Sequence, residues 1–483
     1  MTSYTHLHIF HLHTSFFSLL VVFISSRLAT FAQSNNVLPT DLGQSIPVLV
    51  LRGMFSSEYQ NGTVDFYSSQ GATPVSYEAK IKWRGGSTNT EGKHKRNYKI
   101  KFKEKQQFFG LKADKNWILD AGQQDLFRLR NRIATELWND FARKPYYAAD
   151  GAEVFTGVRG RVVEVFLNDE YVGIYSLTET MDNKTLGLKK SKKGIIHGQL
   201  WKTSGRGLSM MYNTPSAFDN TSSTWDVFET KYPDIKDVNP TDYSPLWKAI
   251  NFVVNSSDEE FKDSVAYYFD LPVVEDYYIY TQTLCAVDNI GKNMYWAIYD
   301  SKESPKITFA VWDLDLTVGS SYLKVFDERY TSPNHIIKGY FNLVKRLIAT
   351  NAGNFNSQVR ERYWSARKDV LSTDSLIARY KSYYQLLKKC GAAERETQRW
   401  SGDTDILEQK IDYDKEMEHI ANWITRHMKV LDRQLFNDPN AIKPSRVAAN
   451  ESDDVYTLQG IKVDPNHLGS GVYIKGRKKI FIK

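Results

Sequence analysis

The chain has 483 residues, of which 41% are hydrophobic and 13% aromatic, so the composition is that of a globular protein with room for two or three domains and excludes an intrinsically disordered one. The formal net charge of +7 is modest for this length and is spread along the chain. No basic stripe with a recognisable nucleic-acid-binding module is present, so nucleic acid is not an expected partner.

The first 32 residues predict a cleavable secretory signal peptide. An apolar core runs from Phe16 to Ile24, and the small residues Thr30 and Ala32 occupy the minus-three and minus-one places of a cleavage site. A membrane anchor is the competing interpretation, but the apolar run is short for a membrane span. We therefore expect a secreted or cell-surface protein that is exported through this signal.

The chain contains two cysteines, Cys285 and Cys390, which are far apart in sequence. Their number and spacing exclude a disulfide scaffold and a zinc site. They could pair in an oxidising compartment, but Cys285 lies in the apolar run TQTLCAV and is better explained as a buried thiol.

Strand-like runs dominate residues 45–200 and predict a β-rich N-terminal lobe. The loop that joins VSYEAKIKWR to NYKIKFKEK begins with Arg84, Gly85, Gly86 and Ser87. Backbone N–H groups in such a loop could cradle the phosphates of a nucleotide. An ordinary hairpin loop is the alternative, because such loops are commonly rich in Gly and Ser.

The strand that follows this loop carries lysines on one face. Tyr98, Ile100 and Phe102 alternate with Lys99 and Lys101, so the two lysines lie on the opposite face from the apolar residues. Either lysine could grip the phosphates of a nucleotide, and a solvated strand face is the alternative.

Two glutamates in this region are further candidates. Helical spacing of apolar residues in DLFRLRNRIATELWNDFARK predicts an amphipathic helix, and Glu136 on it could pair with the phosphate-gripping lysine. A solvent-exposed glutamate is the alternative. Glu179 ends the strand EYVGIYSLTE, where a nucleotide-binding sheet would lead into a second lobe.

Residues 201–440 change to helical periodicity and predict a C-terminal helical lobe with one β-hairpin, within residues 285–319. The runs YWAIY and ITFAVW are its strands. Asp288 and Asn293 precede the hairpin, and Asp313 and Asp315 follow it, so folding brings these four side chains together. Carboxylate and amide oxygens suit a hard cation such as Mg²⁺. Turn and strand-end residues are the alternative interpretation.

Residues 448–483 predict a separate small β module, because short strands alternate there with turns at Gly460, Gly469–Gly471 and Gly476. The module is similar to C-terminal sorting or attachment modules of secreted bacterial proteins, and a surface attachment is what that similarity implies.

Several ordered blocks resemble the CotH-like family of atypical protein kinases, which is named after a bacterial spore coat protein. The resemblance extends from Lys80 to Gly319. Its blocks are KIKWRGGST, NYKIKF, FFGLKADKNWILDAG, LRNRIATEL, FLNDEYVGIYSLTE, DNIGKNMYW and WDLDLTVG. Two departures from other kinases are visible: WDLD stands in place of D-F-G, and Cys285-Ala286-Val287 precedes Asp288 in place of H-R-D.

The resemblance implies an α+β, divergent two-lobed protein-kinase-like fold, with an N-terminal antiparallel sheet lobe, a C-terminal helical lobe and a small C-terminal β tail. It implies ATP and Mg²⁺ (or Mn²⁺) as cofactors. Asp288 would be the catalytic aspartate, whereas Asn293 and Asp313, assisted by Asp315, would hold the metal.

The resemblance further implies a secreted kinase that phosphorylates Ser or Thr of exported or cell-surface proteins. The alternative is a catalytically inactive kinase-like surface protein that binds a glycan or a protein. The presence of Asp288, Asn293 and Asp313 favours the kinase, because an inactive protein could lose them freely.

Overall fold

A computed structural model provides the three-dimensional structure, and it describes most of the chain beyond the predicted signal peptide. The described ranges are 46–68, 73–89, 92–149, 152–192, 194–205, 213–238, 240–320, 332–403, 410–437, 454–457, 462–475 and 478–482. The predicted signal peptide lies outside these ranges. The described residues up to Leu431 form one compact unit, and those from Asp432 onward form a second.

The first unit begins with a closed β-barrel of seven strands in the order β1-β2-β3-β4-β5-β7-β6. The strands are β1 (Val48–Arg52), β2 (Gln60–Tyr67), β3 (Val75–Arg84), β4 (Asn97–Gln106), β5 (Asp114–Asp120), β6 (Gly160–Leu167) and β7 (Glu170–Thr178). Neighbouring strands are antiparallel except β1 and β6, which pair in parallel and close the barrel.

Alternation along the strands explains the barrel core. On β4, Tyr98, Ile100 and Phe102 point inward and are buried, as their spacing predicts, together with Trp117 and Leu119 of β5. Residues between these positions, which include Lys99 and Lys101, therefore lie on the outer face of the barrel.

The predicted two-lobed kinase fold is wrong. The N-terminal sheet is not an open antiparallel sheet, because the β1–β6 pairing closes it into a barrel. The predicted C-terminal lobe is not a purely helical body either. It contributes strands to a second sheet, and one of these strands, β8 (Gln199–Thr203), spans the predicted lobe boundary at residue 200.

This second sheet has five strands in the order β12-β11-β8-β10-β9. Its other strands are β9 (Thr224–Trp225), β10 (Phe228–Tyr232), β11 (Met294–Ile298) and β12 (Ile307–Val311). The predicted hairpin is confirmed, because β11 and β12 pair antiparallel with Met294 opposite Val311. All residues of both strands are buried, as expected of apolar strands that are covered on both faces.

Helices account for much of the remaining chain. They are α1 (Arg130–Phe141), α2 (Ser244–Asn255), α3 (Asp258–Tyr268), α4 (Leu271–Leu284), α5 (Asn342–Thr350), α6 (Phe355–Arg367), α7 (Thr373–Lys389), α8 (Ala392–Trp400) and α9 (Tyr413–Val430). The predicted amphipathic helix around Glu136 is α1, and α4 leads directly into the hairpin. Almost the whole surface of α4 is buried, which agrees with its largely apolar sequence.

Within the second unit, the described residues form an antiparallel sheet of four strands in the order β14-β13-β15-β16. These strands are β13 (Val455–Thr457), β14 (Lys462–Val463), β15 (Gly471–Lys475) and β16 (Lys478–Ile482).

Cys285 and Cys390 are both buried as thiols and are not joined in a disulfide, as predicted for Cys285. Among the helices that the structure describes, none is both long and apolar enough to span a membrane.

Candidate active site

The two ends of the β11–β12 hairpin are tied together by the side chain of Asn289. Its Nδ2 donates to the carbonyl oxygen of Trp312 at 2.7 Å and to that of Asn293 at 3.1 Å. Asn289 lies in the short turn Val287–Asn289, and its own carbonyl oxygen accepts from the hydroxyl of Tyr277 on α4. The buried helix therefore fixes the turn, and the turn fixes both ends of the hairpin.

The predicted metal ligands occupy unusual backbone positions at these ends. Asn293 has φ +52° and Asp313 has φ +58°, so each lies in the left-handed region immediately beside a strand. Asn and Asp tolerate this region better than other non-glycine residues, and such backbone strain is concentrated at functional sites. The sharp change of direction ends each strand and turns the polar side chain away from the sheet.

Asp288 is held by two neighbours that follow it in sequence. Asn293 Nδ2 donates to Asp288 Oδ2 at 2.8 Å. Lys292 Nζ contacts both carboxylate oxygens, at 3.0 Å and 2.8 Å. The carboxylate is therefore fixed in orientation, and the ammonium group of Lys292 offsets its charge.

A further carboxylate comes from the barrel. Asp120 ends β5, where Ser176 of β7 lies opposite it. Asn131 of α1 connects it to the hairpin: Nδ2 donates to Asp120 Oδ2 at 2.7 Å, and Oδ1 accepts from the backbone N–H of Leu314 at 3.0 Å. One amide side chain thus fixes the barrel carboxylate relative to the segment that carries Asp313 and Asp315.

These groups line one cavity of about 870 Å³. Its walls come from the outer face of the barrel, from the end of the second sheet and from the start of α1. The lining polar side chains include Asn97, Asp120, Asn131, Arg132, Ser176, Thr178, Lys202, Asp288, Lys292, Asn293, Asp313 and Asp315. The structure therefore brings together all four residues that the hairpin was predicted to assemble.

The carboxylates on the acidic side of the cavity repel one another. Solvent reaches Asp313 through the cavity, but the enclosing walls and the negative charge of Asp120 raise its pKa, against the opposing effect of Lys202. Enclosure is also the main cause of the raised pKa of Asp315, and the negative charge of Asp313 raises it further. The pKa of Asp315 therefore lies well above the ordinary value of an aspartate. A cation placed between these carboxylates would relieve the repulsion.

Two cations of the cavity lie around Trp312. The guanidinium of Arg84 and the ammonium of Lys202 each lie 5.5 Å from the centre of the Trp312 ring. Burial lowers the pKa of Lys202, whereas the nearby charge of Asp313 opposes that change. Arg84 was a predicted phosphate-loop residue, and Lys202 of β8 was not predicted.

The glycines of the predicted phosphate loop also reach the cavity. Gly85 and Gly86 both line it, and Ser87 begins the short turn Ser87–Asn89. Gly85 has φ +115°, and a Cβ atom there would come within 2.0 Å of Thr88 Oγ1. The close turn at this position therefore requires glycine.

Four other predicted residues lie outside the cavity lining. Lys99 is half-buried and Lys101 exposed on the outer face of β4. Glu136 on α1 accepts from the hydroxyl of Tyr383 at 2.8 Å and lies 3.1 Å from Arg132, not beside a strand lysine. Glu179 is buried, where it accepts from Arg159 at 2.8 Å and from the backbone N–H of Lys112 at 2.7 Å.

The donor set fits a hard divalent cation bound together with a ligand rather than by protein alone. Among the described residues, no three His, Cys, Asp or Glu side chains are close enough to hold a metal ion. Mg²⁺ is commonly held by one or two carboxylates, with phosphate oxygens and water in the remaining positions. Asp313, Asn293 and Asp315 are the residues that fit this role.

Asp120 and Lys292 were not predicted as site residues, although the sequence contains a signal for each of them. WILD at Asp120 has the same pattern as AVWD at Asp313, namely an apolar strand ended by an aspartate. Lys292 stands four residues after Asp288, a spacing at which two side chains can meet in a tight turn. Lys202 and Arg132 carry no comparable local signal, because only the packing of the barrel against the second sheet brings them to the cavity.

A comparison with protein-family models matches residues 81–431 to the family described as CotH kinase protein. A search of curated proteins finds no match. The family match covers more than half of the chain and includes every residue that lines the acidic side of the cavity. The chain therefore belongs to the CotH kinase protein family.

Proposed function

We propose that this protein is a secreted protein kinase that transfers the γ-phosphate of ATP to Ser or Thr hydroxyls of exported or cell-surface proteins. The observation that carries this proposal is the assembly of Asp288, Asn293, Asp313 and Asp315 in one cavity that also contains Arg84 and Lys202. Phosphoryl transfer needs acidic groups for a metal, basic groups for the phosphates and a residue that orients the acceptor hydroxyl, and this cavity contains candidates for all three.

Asn293, Asp313 and Asp315 would hold Mg²⁺ or Mn²⁺. When bound, the ion neutralises charge on the β- and γ-phosphates. Arg84 and Lys202 bind and orient the phosphate oxygens from the side of Trp312, and the N–H groups at Gly85 and Gly86 add neutral donors there.

Asp288 orients the acceptor hydroxyl. In the transfer, the hydroxyl oxygen forms a bond to the γ-phosphorus, the bond from that phosphorus to the bridging oxygen of ADP breaks, and the hydroxyl proton passes to a carboxylate oxygen of Asp288. Asn293 and Lys292 hold that carboxylate in place, as their contacts of 2.8 Å to Oδ2 indicate.

The export of the protein and its acceptor class rest on the predicted signal peptide of residues 1–32 and the attachment-like module of residues 448–483. A kinase that is itself exported meets its acceptors during or after export. Nucleotide, an exported protein and the cell surface are therefore the proposed partners.

The proposal is tested by transfer of radiolabelled γ-phosphate to peptides that contain Ser, Thr or Tyr, with purified wild type and Asp313→Ala. We expect transfer to Ser or Thr peptides by the wild type and none by the variant. Equal labelling by the two proteins would contradict the metal assignment, and labelling of Tyr peptides alone would contradict the acceptor class.

A further inference from the structure

Arg132 on α1 is a buried cation at the cavity and is not among the residues that the proposed transfer uses. Its side chain is 1% exposed, and it lines the cavity beside Thr135 of the same helix. The strand lysines that were predicted to grip phosphates, Lys99 and Lys101, do not line the cavity. A buried arginine at a ligand-sized cavity is costly unless its charge and N–H groups find partners.

Contacts within the protein satisfy the Arg132 guanidinium group only in part. Arg132 Nε lies 3.1 Å from Glu136 Oε1, and Tyr383 donates its hydroxyl to that carboxylate at 2.8 Å and 3.0 Å. Neither Nε nor Nη2 of Arg132 has a hydrogen-bond partner among the described residues. Leaving a buried donor unsatisfied costs about 1–3 kcal/mol, and more when the group is charged.

The surroundings of Arg132 suit an oxyanion. The hydroxyl-bearing residues Ser176 and Thr178 line the same cavity. Gly160 leaves room for the guanidinium group, because a Cβ atom there would come within 2.8 Å of Arg132 Nη1. A planar guanidinium with open N–H groups matches the oxygens of a phosphate and can bind two of them at once.

We propose that Arg132 binds a phosphate group of the nucleotide, and that Glu136 and Tyr383 are positioning residues that hold it in place. This inference rests on the proposed kinase function. Other kinases pair a strand lysine with a helix glutamate for this task. Here one helix provides both members of the pair, which explains why Glu136 contacts Arg132 and not Lys99 or Lys101.

The test measures binding by calorimetry of two probes, ADP and inorganic tripolyphosphate, to the full-length wild type, Arg132→Lys and Arg132→Met. Arg360→Met is the matched control, because Arg360 is exposed on α6 and does not line the cavity. We expect Arg132→Met to weaken binding of both probes by about tenfold or more and Arg132→Lys by less, since Lys keeps the charge but loses the planar donor pair. The control should bind both probes as the wild type does.

Wild-type affinity of folded Arg132→Met for tripolyphosphate would overturn the inference. If Arg132→Met does not fold, as judged by circular dichroism, Arg132→Lys decides the matter, and unchanged affinity of that variant counts against it. A wild type that binds tripolyphosphate but not ADP would show that the site takes an oxyanion and no nucleotide, which overturns both the inference and the kinase proposal. A wild type that binds neither probe overturns both.

Discussion

Asn293 Nδ2 donates a hydrogen bond of 2.8 Å to Asp288 Oδ2, so the proposed metal ligand and the proposed catalytic aspartate are directly coupled. The coupling has a simple geometric origin. Asn293 adopts a left-handed backbone conformation immediately before β11, which turns its amide back toward the turn that carries Asp288.

This geometry predicts that Asp288→Asn slows transfer without preventing nucleotide binding. Loss of a positioned general base typically lowers turnover by about 10²–10⁴-fold. Steady-state transfer rates should therefore fall within that range, whereas ADP affinity measured by calorimetry should stay close to that of the wild type. Transfer at the wild-type rate would show that Asp288 is not the residue that receives the proton.

Asn131 should act as a positioning residue. It bridges Asp120 and the Leu314 N–H at 2.7 Å and 3.0 Å, so Asn131→Ala removes both hydrogen bonds and frees a carboxylate at the cavity. We expect turnover to fall, together with a loss of about 1–3 kcal/mol in the free energy of unfolding.

The matched control for Asn131 is Asn139→Ala on the same helix. Asn139 donates to the carbonyl oxygen of Gly157 at 3.0 Å and does not line the cavity. The Asn139→Ala variant should be less stable than the wild type but keep the wild-type turnover per folded molecule. Equal turnover losses in the two variants would mean that Asn131 acts only through stability.

Replacement of Asp315 by Asn should stabilise the protein when no cation is present. The pKa of Asp315 is raised well above its ordinary value by burial and by Asp313, so the folded state favours the protonated carboxyl. The stability that this preference contributes is present at pH values below the ordinary pKa of an aspartate and is lost as pH rises through the folded-state pKa. At neutral pH the wild type therefore keeps a repulsion that the Asn variant lacks.

Thermal unfolding at pH 7 without divalent cations measures this effect. Asp315→Asn should melt at a higher temperature than the wild type, and the difference should shrink at acidic pH. Asp369→Asn, at an exposed position on the surface, provides the control. A lower melting temperature of Asp315→Asn at neutral pH would contradict the predicted repulsion.

The burial of Lys95 predicts a second pH dependence of stability. Burial lowers its pKa to about 7, although Glu396 at 3.4 Å acts in the opposite direction. Between pH 7 and the ordinary lysine pKa the unfolded chain binds more protons than the folded one, so this residue makes stability rise with pH in that window. Lys95→Met should remove that rise while Glu396 keeps its 2.6 Å contact with Arg128. The test is to measure the urea unfolding midpoints of the wild type and of Lys95→Met across this pH window. The same dependence of the midpoint on pH in both proteins would refute the prediction.

Local patterns were sufficient to predict the hairpin and its convergent ends. Aromatic and β-branched runs on either side of the turn-rich segment DSKESPK predicted β11 and β12 to within one residue at each end, and Asp288 and Asp313 therefore come together wherever the hairpin packs. The alternation in β4 also predicted correctly that Lys99 lies opposite the apolar face. It could not show which outward-facing residues border a cavity, because that depends on where the second sheet packs.

The closure of the barrel could not be predicted from the sequence, for a related reason. An open sheet and a closed barrel have the same alternation in each strand, and the parallel pairing of β1 with β6 joins segments more than 100 residues apart, with Val48 opposite Glu164. Asp120 reaches the cavity only because β5 lies on the wall of that barrel beside α1.

The most direct test of the proposed function is thermal stabilisation by Mg-ATP, measured for the wild type and for Asp313→Ala at about 1 mM nucleotide. A ligand that binds only the folded state raises the melting temperature, and the shift grows with the logarithm of the ligand concentration divided by its dissociation constant. The expected result is a clear upward shift for the wild type that depends on Mg²⁺ and is absent in Asp313→Ala. No shift in the wild type, or an equal shift in both proteins, would contradict the assignment of Asp313 and its neighbours as a metal–nucleotide site.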